Sequence, residues 1–261
     1  MNIVVCLKQV PGTTEVKIDP QTNTLIRQGI ENIINPFDTY AIEEAVRLKE
    51  KQGGKVTVVT MGPPQADAAL REAVSLGADE AVLLSDRAFA GADTWATAYT
   101  LSRAIAKIRD YSLVICGRQT IDGDTGQVGP ELAEMLDIPF VAYVSKIEEI
   151  KDKYLRVRRM IEEGHEVLET SLPAVITVAK EINVPRLPSL RGIMKSKSVK
   201  IETWGVKELG VDPAMVGLAG SSTQVIKIFF PQRVTQAEIL EGNLEERVDK
   251  LVARLKQAGL C

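Results

Sequence analysis

The chain has 261 residues, of which 45% are hydrophobic and 26% charged, with 32 Lys and Arg against 35 Asp and Glu. A net charge of −3 gives no reason to expect nucleic acid or an anionic membrane as partner. No apolar run reaches the ~18 residues of a membrane span, and one histidine with three scattered cysteines argues against a zinc or iron–sulfur centre within the chain.

The first residues, Met1 then Ile3-Val4-Val5-Cys6-Leu7, read directly as a strand. No basic segment and apolar core precede them, so a cytoplasmic protein is expected. From there to about 145, strand and helix alternate. Strands are expected at 3–8, 55–61, 80–84, 112–117 and 139–144, and helices at 36–52, 65–76, 93–109 and 126–137. The strands are short apolar runs, as when helices cover both faces of a sheet. Ala41, Ile42, Ala45, Val46 and Leu48 form one apolar stripe on the first helix. Asn35-Pro36 reads as its start, with Asn as N-cap and Pro at the first helical position. Gly53-Gly54 ends it. The expected fold class is therefore α/β, doubly wound around a mostly parallel sheet.

After 146 the pattern changes. Tyr154 to Ile161 and Glu166 to Thr170 look like antiparallel strands turning near Gly164, a small extension of the sheet. His165 falls at that turn, in a polar stretch, a poor place for acid–base catalysis. Ala174-Val175-Ile176-Thr177-Val178 returns to a buried strand. Pro185 to Lys197 shows little periodicity and mixes cations with isolated large apolar residues. It reads either as an exposed docking loop or as a basic helix with a capped start. The tail begins irregularly and ends in a helix, Leu244 to Lys256. The expected domains are 1–200, with a recognition segment at about 184–197, and a C-terminal arm at 201–261. Cys6 and Cys116 sit in apolar strands and read as buried, inert thiols.

The most informative stretch follows the strand Ser112-Leu113-Val114-Ile115. It runs Cys116-Gly117-Arg118-Gln119-Thr120-Ile121-Asp122-Gly123-Asp124-Thr125-Gly126-Gln127-Val128-Gly129-Pro130 and leads into a helix. Such a loop can bring backbone N–H groups to an anion, and a helix start favours phosphate. It is neither of the common phosphate loops. On spacing alone, a plain turn with Asp and Thr as caps fits about as well. Open α/β sheets bind ligands beyond the carboxyl ends of their strands. Cys6 to Gln9 (with Lys8), Asn35-Pro36-Phe37-Asp38, Met61, Asp93-Thr94 with Thr97, and the 117–128 loop could thus line one crevice. The bland alternative is that each is only a helix cap.

Taken together, Val5-Cys6-Leu7-Lys8-Gln9-Val10, Asn35-Pro36-Phe37-Asp38, Glu43 to Lys49, Met61-Gly62-Pro63, Gly117 to Gln127, Pro185-Arg186 and Gly192-Ile193-Met194-Lys195 resemble the small (beta) subunit of electron-transfer flavoproteins across essentially the whole chain. The resemblance implies an adenine-nucleotide-binding α/β domain and a C-terminal arm embracing a larger alpha subunit that carries an FAD. Ordinary members hold a structural AMP. The Asp122-Gly123-Asp124-Thr125 order and the Gly91 to Thr97 segment are similar to the electron-bifurcating branch, which holds a second FAD here. That FAD takes hydride from NADH and divides electrons between ferredoxin or flavodoxin and the alpha-subunit FAD, which serves a partner dehydrogenase. A diphosphate needs more donors than one phosphate, and Thr94, Thr97 and Thr125 could supply hydroxyls. Asp122 and Asp124 are expected to hold ribose hydroxyls, turn amides or Arg118. The same resemblance makes Leu190, Ile193 and Met194 the expected anchors for the partner dehydrogenase. No side chain need act as a catalytic acid or base. A stand-alone nucleotide-binding signalling module is the remaining alternative, and it leaves the segment after 180 unexplained.

Overall fold

The computed structural model describes residues 1–12, 17–18, 25–26, 31–151, 153–226 and 237–260. Cys261 lies outside them. The chain divides into two units, Met1–Ile226 and Lys227–Cys261.

The first unit opens with β1 (Asn2–Cys6), then short strands β2 (Gln9–Pro11), β3 (Lys17–Ile18), β4 (Leu25–Ile26) and β5 (Asn32–Ile34). There follow α1 (Pro36–Gln52), β6 (Lys55–Met61), α2 (Asp67–Ser75), β7 (Glu80–Leu84), α3 (Thr94–Ile108), β8 (Leu113–Gly117) and α4 (Val128–Leu136). Three strands, β9 (Phe140–Lys151), β10 (Tyr154–Ile161) and β11 (Gly164–Ser171), precede β12 (Ala174–Val178), α5 (Leu190–Ser198), β13 (Glu202–Trp204) and α6 (Val206–Leu209). The main sheet has the order β11-β10-β9-β12-β8-β1-β6-β7-β13. From β9 to β13 every pairing is parallel, and β10 and β11 extend one edge in antiparallel fashion.

Strand alternation explains both layers. Ile3, Val5, Leu113 and Ile115 face a core shared with Ala41, Ile42, Leu70 and Val74 of α1 and α2. Their neighbours Val4, Cys6, Val114 and Cys116 face the opposite core, with Ala98, Leu101, Ile105 and Leu132 of α3 and α4. Each strand is covered on both sides, which is why it reads as a continuous apolar run. Among the described residues no helix is long and apolar enough to cross a membrane.

The expected α/β alternation and the parallel sheet are present. Several details differ, beginning with the short strands β2 to β5, which the sequence reading does not include. The strand expected at 139–144 continues to Lys151, because β10 pairs along it. The segment at 185–197 is irregular only to Ser189: Leu190–Ser198 is helical, and the Ser189 hydroxyl accepts from the Gly192 N–H at 3.0 Å. A capped basic helix, weighed from the sequence as the alternative, is what forms. The arm expected from 201 does not begin there. β13 joins the sheet beside β7, and residues up to Ile226 belong to the first unit. His165 lies in β11, opposite Met160, and is exposed.

Two contacts fix the segment after β12. Arg186 reaches back to α1, where its Nε donates to Glu43 at 2.7 Å and its terminal nitrogens to Glu50 at 2.6 and 3.0 Å. Burial pushes the Glu43 carboxyl up, but Arg186 and Arg47 outweigh it and hold the group below its usual range. Gly192 lets α5 lie directly on α2. The second unit, described by itself, carries helix α7 (Leu244–Gln257), opened by an Asn243–Glu246 capping box. Leu244, Val248, Leu251, Val252 and Leu255 fall on one face of it.

A Cβ on Gly192 would stand 2.1 Å from the Ser75 carbonyl oxygen, so Gly192→Ala forces α5 off α2. We expect a loss of about 1–3 kcal/mol in chemical denaturation, exceeding the ~1 kcal/mol of helix propensity that Ala adds. An unchanged midpoint would show that α5 is loosely held.

Candidate nucleotide site at the carboxyl edge of the sheet

The chain leaves β1 toward β6 on one side, and β8 lies on the other. The β1–β8 boundary is therefore the topological switch point, where an open α/β sheet leaves a crevice beyond its carboxyl ends. Three segments meet there: Leu7-Lys8 after β1, Asn35 to Asp38 at the start of α1, and the loop after β8.

Gly117 sets their spacing. A Cβ at this position would lie 2.3 Å from Asp38 Oδ1 and 2.7 Å from the Phe37 carbonyl carbon. Only glycine lets the end of β8 lie against the first turn of α1. Asn35, fully buried, then ties the segments together. Its backbone N–H donates to the Lys8 carbonyl at 2.8 Å. Its Nδ2 donates to the Gln119 carbonyl at 2.9 Å, and its Oδ1 accepts from the Ile121 N–H at 3.1 Å. The sequence reading of Asn35 as a side-chain N-cap is thus corrected. The side chain caps no α1 amide and is spent on the loop instead.

Asp38 is buried, and Oδ2 accepts from the Lys8 N–H at 2.7 Å. Burial pushes its carboxyl up to about 7, although the amides of Lys8 and Gly117, the Asn35 side chain and the Lys8 charge all pull it back. The two loop aspartates are engaged within the site, Asp122 by a cation and Asp124 by an amide. Lys8 Nζ pairs with Asp122 at 2.7 Å, so Arg118, one of three alternatives expected for the loop aspartates, is not its partner. Gln119 Nε2 donates to Asp124, which adopts a left-handed φ of 55° and returns its N–H to the Thr120 carbonyl at 2.9 Å. Gly126, at φ 64°, makes the second left-handed turn before α4. Gly123 and Thr125 are exposed on this loop, and Gln127 and Val128 lead into the helix. Neither α1 nor α4 has a side-chain cap; Pro36 and Pro130 carry no N–H, and the Asp38 N–H donates to the Asn35 carbonyl at 2.8 Å.

The remaining expected residues divide. Cys6 and Cys116 are in register on β1 and β8, buried beneath the loops, and burial together with Cys6 raises the Cys116 thiol. Met61 ends β6, half-buried in the core beside α3. Asp93 caps α3 through the Ala96 N–H at 3.0 Å and accepts from Thr223 N–H and Oγ1 at 2.9 and 3.1 Å, so its carboxylate is already committed. Thr97 lies in the first turn of α3, its N–H donating to the Asp93 carbonyl. The Thr94 hydroxyl donates to Glu131 at 3.0 Å rather than standing free. Leu190 and Met194 are exposed on α5, with Ile193 beside them. Among the described residues no group of three or more His, Cys, Asp or Glu could hold a metal.

Sequence reasoning missed two residues. Glu131 joins the Thr94 cluster with one carboxylate oxygen buried and unpartnered, and its burial raises its pKa. Tyr143, on β9, stands over Arg118 with a positive φ of 57°. No residue type marks that conformation in a strand.

Asp38 yields a pH prediction. Its ordinary value is 3.8 and its folded value about 7. Between these, the unfolded chain has lost the proton while the folded chain keeps it. Stability therefore falls as pH rises through this window and levels off above it. Asp38→Asn has no such proton. Its stability relative to the parent chain should rise from about pH 4 to 7 by on the order of 4 kcal/mol, read by thermal unfolding across pH. A pH-independent difference would mean that Asp38 is ionised throughout.

Comparison with known proteins agrees with this architecture. The electron transfer flavoprotein domain model matches residues 22–209. The electron transfer flavoprotein subunit beta of Thermoanaerobacterium thermosaccharolyticum is 55% identical over 258 residues, 98% of each chain. The caffeyl-CoA reductase-Etf complex subunit CarD of Acetobacterium woodii is 49% identical, again over 98% of each chain. Protein FixA of Azotobacter vinelandii is 48% identical over 93% of this chain and 89% of its own. With the parallel sheet and its loop-lined switch point, these similarities establish that the chain belongs to the electron transfer flavoprotein family, as a beta subunit.

Proposed function

We propose that this beta subunit holds an FAD in the crevice between β1 and β8 and works in an electron-bifurcating complex. One observation carries the reading. The loop after β8, with left-handed residues at Asp124 and Gly126, runs from the first turn of α1 to the start of α4, which has no side-chain cap, and its two aspartates are engaged by the Lys8 ammonium and the Gln119 amide. Such a loop and helix start suit a dinucleotide's diphosphate. The acids that would repel it are answered by Lys8, by Gln119 and by the raised pKa of Asp38.

In this reading the amides of Gly126, Gln127 and Val128, the Thr125 hydroxyl and Arg118 serve the phosphates. Lys8, Asn35, Asp38 and Gly117 hold the loop in place. When bound, a flavin supplies the exchange between two-electron and one-electron chemistry. The chain's own residues bind and orient it and exclude water from the buried floor formed by Cys6 and Cys116. Electrons from NADH would be divided between a ferredoxin or flavodoxin and the FAD of the alpha subunit. The name of the Acetobacterium relative, a subunit of a reductase–Etf complex, supports a dehydrogenase or reductase as the onward partner. A beta subunit implies an alpha subunit, and the apolar stripe of α7 suits that contact. Leu190 and Met194, at 84% and 73% exposure on a helix fastened by Gly192 and Arg186, suit transient docking of the partner enzyme. The match over 98% of the chain to beta subunits speaks against a stand-alone signalling module. The competing reading within the family is a structural AMP at the same site.

The purified heterodimer should release two FAD and no AMP on denaturation. One FAD with one AMP would establish the structural-nucleotide reading instead. Leu190→Ala should slow electron delivery to the partner dehydrogenase by about tenfold, the worth of one modest interface anchor, with flavin content unchanged. A rate equal to the parent's would remove Leu190 from the docking surface.

A further inference from the structure

Tyr143 is the most strained non-glycine position near the crevice. On β9, Val141 pairs with Ile176 and Val144 with Val178, so Ala142 and Tyr143 together oppose the single residue Thr177. This bulge places Tyr143 at φ 57°, a left-handed conformation that a large side chain avoids. Its N–H, turned out of the ladder, donates to Thr177 Oγ1 at 3.2 Å. Thr177 is itself fixed from the other side. A Cβ on Gly129, in the first turn of α4, would lie 2.5 Å from Thr177 Cγ2. The bulge is thus locked to the helix start that follows the cofactor loop.

The strain has a visible product. The Arg118 guanidinium lies over the Tyr143 ring at 5.4 Å and over the Phe37 ring at 5.3 Å. Its Nε donates to Gln119 Oε1 at 2.7 Å. Its two terminal nitrogens make no hydrogen bond or ion pair to any described residue. A guanidinium held by two aromatic rings and one amide, with its fork free, is organised in advance for a planar or bidentate anion. Backbone strain kept at such a place points to function.

We propose that Tyr143 is a positioning residue: its left-handed bulge and ring hold Arg118 so that the free fork binds the phosphate of the adenine nucleotide. The inference rests on the reading that the crevice takes an adenine nucleotide. It does not depend on whether that nucleotide is FAD or AMP, since the phosphate is common to both.

The test uses the heterodimer with its alpha subunit and the substitutions Tyr143→Gly, Tyr143→Phe and Arg118→Gln. FAD and AMP are both counted after release, and affinity for the retained nucleotide is measured at low and high salt. Tyr143→Gly frees the left-handed backbone, so its melting temperature should equal or exceed the parent's. Its nucleotide affinity should nonetheless fall by about tenfold and lose much of its salt dependence, matching Arg118→Gln. Tyr143→Phe should restore both. Parental affinity and salt dependence in Tyr143→Gly, or in Arg118→Gln, overturns the proposal. So does a Tyr143→Phe variant as weak as Tyr143→Gly. A parent complex carrying AMP in place of a second FAD refutes the flavin assignment alone, and the variants are then scored on AMP.

Discussion

The close approach of Gly117 to the first turn of α1 is the constraint on which the rest of the site depends. Without a side chain at 117, β8 ends directly against Phe37 and Asp38. That contact brings the loop after β8 within reach of Asn35, whose amide then holds Gln119 and Ile121. It also buries Asp38 deeply enough to hold its proton near neutral pH. A methyl group at 117 would push the end of β8 away from the first turn of α1. The site is therefore built from backbone proximity first and side-chain chemistry second.

The electrostatic arrangement follows from that geometry. A loop containing two aspartates is a poor phosphate cradle in isolation. Here each acidic group has an internal answer: Lys8 for Asp122, Gln119 for Asp124, and desolvation for Asp38. The starts of α1 and α4 carry no side-chain cap, and the terminal nitrogens of Arg118 make no hydrogen bond to any described residue. The carboxylate of Asp93 works differently. It joins the α3 start to Thr223, a few residues before the end of the first unit.

The helices α5 and α7 are built on separate principles. The α5 helix lies against α2 at Gly192, and Arg186 ties the segment before it to α1, yet Leu190 and Met194 remain exposed. A firmly mounted apolar pair costs little entropy on docking. The α7 helix carries its own capping box and an apolar stripe, and it belongs to a unit distinct from the sheet. A helix of that kind gains most of its stability from a surface it covers.

The sequence by itself determined the class of fold and the main strands and helices of the first 145 residues, though not the short strands β2 to β5, and it singled out the loop after β8. Those features are local: apolar runs, helix-period stripes and glycine placement report on the residues that carry them. The family resemblance was legible for the same reason, in short motifs at fixed positions. Tertiary structure decided what distant residues do to one another. The Asn35 side chain abandons its helix for the β8 loop, because β1 and β8 are neighbours only in the sheet. Leu190 to Ser198 lies as a helix directly on α2 because glycine at 192 leaves room for the Ser75 carbonyl, and β13 returns to the main unit by pairing with β7. Tyr143 acquires its strained backbone from a bulge opposite Thr177, set by strand register. Register, burial and close approach are properties of the assembled sheet, so no reading of one segment at a time contains them.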